Sequence, residues 1–143
     1  MFHEIRIRPR ISETDLMGHI NNVAVAAWFE EGRTYMTGEF AHASAELPPF
    51  ILARIEIDYE QQIFFGQVIT IRSAVARIGT SSIGLYQELW QQSRRCAVGR
   101  SVLVHFNPET QRSQPLPDAL REGFLRFLET PVPRHGEAEP GSR

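Results

Sequence analysis

The sequence predicts an α+β fold in which a curved antiparallel sheet wraps around one long central helix. Consecutive segments of alternating apolar and polar residues, joined by short turns, predict antiparallel strands with one apolar face. One early segment is apolar nearly all round and is the only long helix candidate. Because an apolar sheet face has to be covered, we expect this helix to be buried against it.

The first strand and the long helix fall within the first 36 residues. Residues 2–8 alternate between apolar and charged side chains, as a half-buried strand does, until Pro9 interrupts them. A helix is predicted over residues 23–36, because its alanines favour helix and Asn21 or Asn22 supplies an N-cap. Its valines favour strand, but only mildly.

Four strand-like segments and a short helix follow. The strands are predicted over residues 54–60, 68–78, 83–89 and 98–106, with a polar turn at 92–95 before the last of them. The helix is predicted around residues 120–128, with Pro117 near its start, and we expect it to pack at an edge of the sheet. The folded domain is therefore predicted to span residues 1–130, followed by a disordered tail at 131–143, which is rich in Pro, Gly and charge.

Composition argues against several functional classes. The length of 143 residues predicts a single domain, and a net charge of −2 gives no electrostatic case for nucleic acid or an anionic membrane as the partner. One cysteine, Cys96, rules out an intrachain disulfide and fits a reducing compartment. No signal peptide and no membrane-spanning apolar run is visible, so a cytoplasmic location is expected.

The segment Thr14–Val23 carries the clearest chemical signal. It places Asp15, Gly18, His19 and two asparagines directly before the predicted helix. The start of a helix has free backbone N–H groups and the positive end of the helix dipole. An acid and an imidazole at this point can act on a carbonyl that those N–H groups polarise. The pattern therefore indicates acyl transfer.

Other chemistries have weaker support. Asp15 and His19 supply only two of the three or four ligands that a metal needs, so no metal site is predicted. Neither a G-x-G-x-x-G motif nor a P-loop is present, so no nucleotide cofactor is predicted. Ser81-Ser82 lacks the strained G-x-S-x-G turn of a serine hydrolase, and Cys96 is more typical of a residue packed in a strand.

The segment Thr14–Arg33, TDLMGHINNVAVAAWFEEGR, resembles the signature of the hotdog-fold acyl-CoA thioesterases of the 4-hydroxybenzoyl-CoA thioesterase family. It is also similar to the equivalent segment of plant acyl-carrier-protein thioesterases. The resemblance continues in order through Asp58-Tyr59, Gly66 and residues 79–82 and 87–90, so it covers about residues 2–127. It implies a hotdog fold, a homodimer or dimer of dimers with active sites at the dimer interface, and an acyl-CoA or acyl-carrier-protein thioester as substrate.

Carried over residue by residue, the resemblance makes Asp15 the catalytic carboxylate, either as nucleophile or as base for a water. It makes His19 a candidate to orient water, to donate to the carbonyl or to assist the leaving thiolate. Asn22 falls where the family uses a backbone N–H to polarise the thioester carbonyl, so its side chain is expected to be no more than a cap. The substrate-binding candidates implied are Gly18, Asn21, Val25, Tyr59, Thr80 and Ser81, with Val25 standing where the family often has an aromatic residue, usually tyrosine.

Each of these residues also has a structural interpretation. Asp15 can simply brace its loop, and Gly18 serves backbone geometry in either case. Glu30, Glu31 and Arg33 are interpreted as helix charges that pair or meet solvent. The alternative function is a non-catalytic acyl-thioester binding module on the same fold, whereas the His and Asp motif of a hotdog hydratase is not found.

Overall fold

In the computed structural model, which describes residues 1–39 and 48–134, an antiparallel sheet of six strands packs against a long helix. The strands are β1 (His3–Ile7), β2 (Phe50–Tyr59), β3 (Ile69–Ile78), β4 (Ser82–Gln91), β5 (Arg94–Asn107) and β6 (Arg112–Ser113). The helices are α1 (Asn22–Gly38) and α2 (Asp118–Leu125). The strand order is β1-β3-β4-β5-β2, with β6 pairing to β5. The predicted combination of an antiparallel sheet and one long helix is confirmed, and α2 is the predicted short helix.

The strands differ from the predicted segments mainly at their ends. β2 begins at Phe50, four residues before the predicted start, and its partner along its whole length is β5. The turn predicted at residues 92–95 is shorter, because Gln92 adopts a left-handed φ of 56° and pairing resumes at once between Gln91 and Arg94. β5 is consequently the longest strand and forms the centre of the domain with β4.

One face of α1 forms the core with the sheet. In its first half Val25, Trp28 and Phe29 pack against apolar residues of β3, β4 and β5, and in its second half Met36 packs in a cluster with Phe124 of α2. The expectation that α1 is buried all round is wrong for its opposite face, where Val23 is 72% and Tyr35 57% exposed. The sheet of a single chain covers only one side of the helix.

Gly32 allows α1 to approach the sheet closely. A Cβ atom at this position would lie 2.6 Å from Cγ2 of Ile71 and 2.9 Å from Nε2 of Gln87. We therefore expect Gly32→Ala to lower the free energy of unfolding by about 1–3 kcal/mol, although alanine has a helix propensity about 1 kcal/mol more favourable. Urea unfolding measures the change, with Thr34→Ala on the exposed face as the control. Unchanged or higher stability of Gly32→Ala would contradict this packing.

β2 forms one edge of the sheet and is long and partly apolar. Among the described residues its outer backbone groups pair with no other strand, and Ile51 and Leu52 are 45% and 42% exposed. An edge of this kind is a template for pairing with another chain. Among residues 1–39 and 48–134, no helix is long and apolar enough to cross a membrane.

The start of the predicted tail lies along the face of the sheet opposite to α1. Val132 O accepts a hydrogen bond from Arg100 Nη2 at 2.7 Å, and Arg134 forms an ion pair with Glu56. Residues 131–134 therefore contact β2 and β5. Residues 135–143, the remainder of the predicted tail, lie outside the described residues.

Candidate active site

Asp15 lies in a tight loop just before α1. Its Oδ1 atom accepts hydrogen bonds from the backbone N–H groups of Met17 at 2.7 Å and His19 at 3.1 Å. Gly18 has a φ of +78°, a conformation that side-chain-bearing residues rarely adopt, so the loop requires a glycine there. Oδ1 thus braces the loop, as the structural interpretation of Asp15 expects. No described residue donates to Oδ2, which leaves one carboxylate oxygen available for chemistry.

Glu13 anchors this loop to the helix and was not identified from the sequence. Its Oε2 atom accepts a hydrogen bond from Trp28 Nε1 at 2.8 Å, and its carbonyl oxygen accepts one from Asn21 N–H at 2.8 Å. The partners are distant in sequence, so no local motif marks them. Glu13 fixes the position of Asp15 relative to α1 without lining the site.

The start of α1 is capped by Asn21. Its backbone is extended, and its Oδ1 atom accepts a hydrogen bond from Ala24 N–H at 2.8 Å. The expectation that the side chain of Asn22 is a cap is therefore wrong, because Asn22 is the first residue inside the helix and its side chain is exposed. The N–H groups of the first helical turn have no partner within the helix, and Asn22 provides one of them.

Replacing Asn21 and Asn22 by alanine, one at a time, tests which of the two residues caps α1. We expect Asn21→Ala to lower the free energy of unfolding by about 0.5–2 kcal/mol, because it removes the acceptor for Ala24 N–H. Asn22→Ala removes no described hydrogen bond of the side chain and should change stability far less. Chemical unfolding of both variants tests this, and an equal loss in the two would contradict the assignment of the cap.

A cleft of about 580 Å³ opens at the start of α1, and we call it the Asp15 cleft. One side is formed by the Asp15 loop and the first turn of α1, and the other by Tyr59, the last residue of β2, and residues 60–63 after it. Tyr59 donates a hydrogen bond from its hydroxyl to the carbonyl oxygen of Asn22 at 3.1 Å, which ties the two sides together. Val25 is buried and supplies an apolar wall. An acid, an open helix start and an apolar wall therefore meet in one space.

His19 lies beside the Asp15 cleft and does not line it. Its ring packs edge-on against Phe64, with 5.3 Å between ring centroids and an angle of 73° between the ring planes. The two residues also pair through their backbones. Phe64 thus fixes the orientation of the imidazole at the border of the cleft.

Thr80 and Ser81 lie at the other end of the sheet. Tyr59 is opposite Ala97 on β5, whereas Ser82, directly after this turn, is opposite Val104. Seven residues of extended strand correspond to about 23 Å. Within one chain, then, the structure brings Asp15, Asn21, Asn22, Val25 and Tyr59 together and leaves the residues of this turn apart from them.

The remaining candidates give no second reactive centre. Cys96 is completely buried in β5, and burial raises the pKa of its thiol, so its interpretation as a packed strand residue is confirmed. No group of three or more His, Cys, Asp or Glu residues in the described chain could hold a metal ion. Arg33, expected to pair or meet solvent, is instead only 5% exposed.

A cavity of about 480 Å³ on the opposite face of the sheet has its charges already paired. Arg100 contacts Asp58 at 3.2 Å, and Arg95 contacts Glu60 at 2.7 Å. Burial and the neighbouring Glu88 raise the pKa of Tyr86 to about 12, so this tyrosine stays protonated. This cavity is a satisfied polar network, and the Asp15 cleft is the better candidate for chemistry.

Comparisons with known proteins identify the family of the chain and several similar structures. Residues 9–124 match the family model of the thioesterase-like superfamily. A predicted thioesterase from Bacillus stearothermophilus is 36% identical, with a TM-score of 0.86 over 92% of this chain and 100% of that chain. A thioesterase from Thermus thermophilus, complexed with coenzyme A and Zn, is 27% identical, with a TM-score of 0.77 over 85% of this chain and 95% of that chain. The uncharacterised protein YsmA of Bacillus subtilis is 27% identical over 122 residues, 84% of this chain and 83% of that protein.

Proposed function

The chain belongs to the thioesterase-like superfamily, which has the hotdog fold, and we propose that it hydrolyses an acyl-CoA thioester to a free acid and coenzyme A. The observation that carries the proposal is the Asp15 cleft, which is lined by Asp15 and by the first turn of α1, and the Oδ2 atom of Asp15 accepts no described hydrogen bond. Coenzyme A is preferred to an acyl-carrier protein as the thiol carrier, because the Thermus relative was crystallised with coenzyme A. Closer kinship to the 4-hydroxybenzoyl-CoA thioesterases rests on the Thr14–Arg33 resemblance.

The proposed hydrolysis depends on two negative charges, that of the Asp15 carboxylate and the one that develops on the thioester oxygen. As the thioester carbonyl is attacked, its oxygen becomes negative, and a fixed backbone N–H at Asn22 stabilises it together with the helix dipole. In one route Asp15 attacks the carbonyl carbon, the carbon–sulfur bond breaks, coenzyme A leaves as thiolate, and water then hydrolyses the acyl-aspartyl anhydride. In the other route Asp15 takes a proton from a water whose oxygen attacks the same carbon, and the carbon–sulfur bond then breaks, so that coenzyme A again leaves as thiolate. Both routes consume one water per thioester and need the carboxylate at this position.

The other residues of the motif have supporting roles in this proposal. His19 assists the leaving thiolate or orients water from the border of the cleft. Gly18 and Asn21 shape the loop and the helix start, Val25 contacts the acyl group, and Tyr59 holds the carbonyl of Asn22.

A homodimer completes the site in this proposal. If two β2 edges pair about a two-fold axis, the strands run antiparallel, and the Tyr59 end of one lies beside the Phe50 end of the other. Phe50 pairs with His105 of β5, and Ser82 pairs with the adjacent Val104, so the turn of residues 79–82 belongs to the Phe50 end. The partner's turn then approaches the Asp15 cleft. This explains how Thr80 and Ser81 can bind substrate although their own chain keeps them apart from Asp15.

Thiol release from a panel of acyl thioesters tests the function. We expect the wild-type protein to release thiol from coenzyme A thioesters more readily than from carrier-protein thioesters of the same acyl group. The panel also establishes the preferred acyl chain. Tight binding of acyl-CoA without thiol release from any member would instead support the non-catalytic binding module.

A further inference from the structure

Arg33 is a buried cation that forms no ion pair with any described carboxylate. Its side chain lies in the second half of α1 and is only 5% exposed. Its one described side-chain hydrogen bond is from Nη1 to the neutral Oε1 atom of Gln87, at 3.3 Å. Burial lowers the pKa of Arg33, and the charge of Glu30 opposes this effect without forming an ion pair.

Gln87 cannot turn away to release Arg33 from this environment. Its amide nitrogen donates to Phe29 O at 2.9 Å and to Ser73 Oγ at 2.8 Å, so its oxygen is held toward the guanidinium. A buried guanidinium has five N–H donors, and one neutral acceptor satisfies little of that capacity. Burying a charge without an opposite charge is costly. A buried guanidinium without an ion-pair partner is therefore a candidate for binding an anion.

The guanidinium lines a cavity of about 310 Å³ between α1 and the strands β2 and β5, which we call the Arg33 cavity. Phe50, Leu52 and Leu103 form its apolar walls, and the exposed residue Glu30, which forms no described ion pair with Arg33, also lines it. The hydroxyls of Thr34 and Thr37 also face this region, but each donates to a carbonyl oxygen of the helix, Thr34 to Glu30 and Thr37 to Arg33. A space with apolar walls and a buried cation that forms no described ion pair suits a short hydrocarbon chain that ends in a carboxylate.

We propose that Arg33 binds a carboxylate at the far end of the acyl group, so that the preferred substrates are acyl-CoAs whose acyl chain carries a second carboxylate. This inference rests on the proposed thioesterase function. Arg33 is a specificity-determining residue in it and takes no part in breaking the thioester.

The topology places the Arg33 cavity where such an acyl chain can reach it. Phe50 and Leu52 lie at the beginning of β2, whereas the Asp15 cleft is next to Tyr59 at its end. Antiparallel pairing of two β2 edges brings the Asp15 cleft of one subunit beside the Arg33 cavity of its partner. The thioester then lies at one subunit's Asp15 and the distal carboxylate at the partner's Arg33.

Matched pairs of substrates test this proposal, for example adipoyl-CoA against hexanoyl-CoA, which differ only in the terminal carboxylate. We expect the wild-type protein to prefer the dicarboxylic member. Arg33→Met keeps a long flexible side chain and removes the charge, so it should lower kcat/KM for that member by about 10–100-fold and leave the monocarboxylic member nearly unchanged. Arg33→Lys should retain part of the preference. Arg112→Gln, which removes an exposed arginine of β6, is the control and should behave as wild type.

Thermal melts with free adipate keep this test independent of catalysis. Adipate should raise the Tm of the wild-type protein but not that of Arg33→Met. If adipate does so while no thioester is hydrolysed, the anion site stands and the proposed function fails. If thioesters are hydrolysed without preference for the dicarboxylic member, the function stands and this inference is overturned. Dissociation of the dimer in Arg33→Met would also overturn it, because Arg33 would then pair with an acidic residue of the partner.

Discussion

Asp15→Asn is expected to lower the turnover of acyl-CoA by about 10²–10⁴-fold while the protein stays folded and still binds its substrate. The asparagine keeps an oxygen that can accept from the N–H groups of Met17 and His19, so the loop remains braced. It removes the negative charge that either route of hydrolysis needs. The substitution therefore separates chemistry from loop structure, which removal of the whole side chain would not do.

Turnover at saturating acyl-CoA, together with Kd for a non-hydrolysable analogue, measures this effect. Asp118→Asn is the matched control, because it neutralises an exposed aspartate in the first turn of α2. We expect this control to turn over substrate at the wild-type rate. An active and stably folded Asp15→Asn protein would show that Asp15 only braces its loop.

Two inactive variants are expected to restore activity when they are mixed. In the proposed dimer each site combines Asp15 of one subunit with the 79–82 turn of its partner. Thr80→Trp, at an exposed position of that turn, should block the neighbouring site without disturbing the core. A heterodimer of Asp15→Asn and Thr80→Trp subunits then contains one intact site and one doubly altered site. Random exchange of subunits should recover about a quarter of wild-type turnover.

The recovery should appear only after subunits have exchanged, so each variant alone and a mixture taken before exchange are the controls. Mass photometry follows the dimers in parallel. If Asp15 and Thr80 served the same chain's site, every heterodimer would lack an intact site and mixing would restore nothing. That result would exclude the shared site.

Periodicity and turn residues were sufficient to predict most of the fold. Alternating side chains mark β1 to β5 because one face of each strand meets the core, and the alanine-rich segment marks α1. The residues at which the strands begin and end were less predictable. The turn after β4 is short because Gln92 adopts a left-handed backbone, and nothing in its residue type requires that.

The candidate site was predictable where it is local in sequence. Asp15, Asn21 and Val25 are near one another in the chain and line one cleft. The contacts made by Glu13 and Arg33 depend on partners 15 and 54 residues away. Charge patterning along the helix therefore predicted that Arg33 pairs with another charge or meets solvent, whereas packing buries it. Which asparagine caps α1 depends on where the first helical turn begins, a difference of one residue that propensity does not resolve.

The most direct measurement of the central claim is the stoichiometry of products formed from one acyl-CoA by the wild-type protein. Hydrolysis predicts equal amounts of coenzyme A thiol and free acid, many molecules of each per protein chain, and near loss of both in Asp15→Asn. Acyl-CoA that is bound by a stoichiometric amount of wild-type protein and recovered intact would contradict the account.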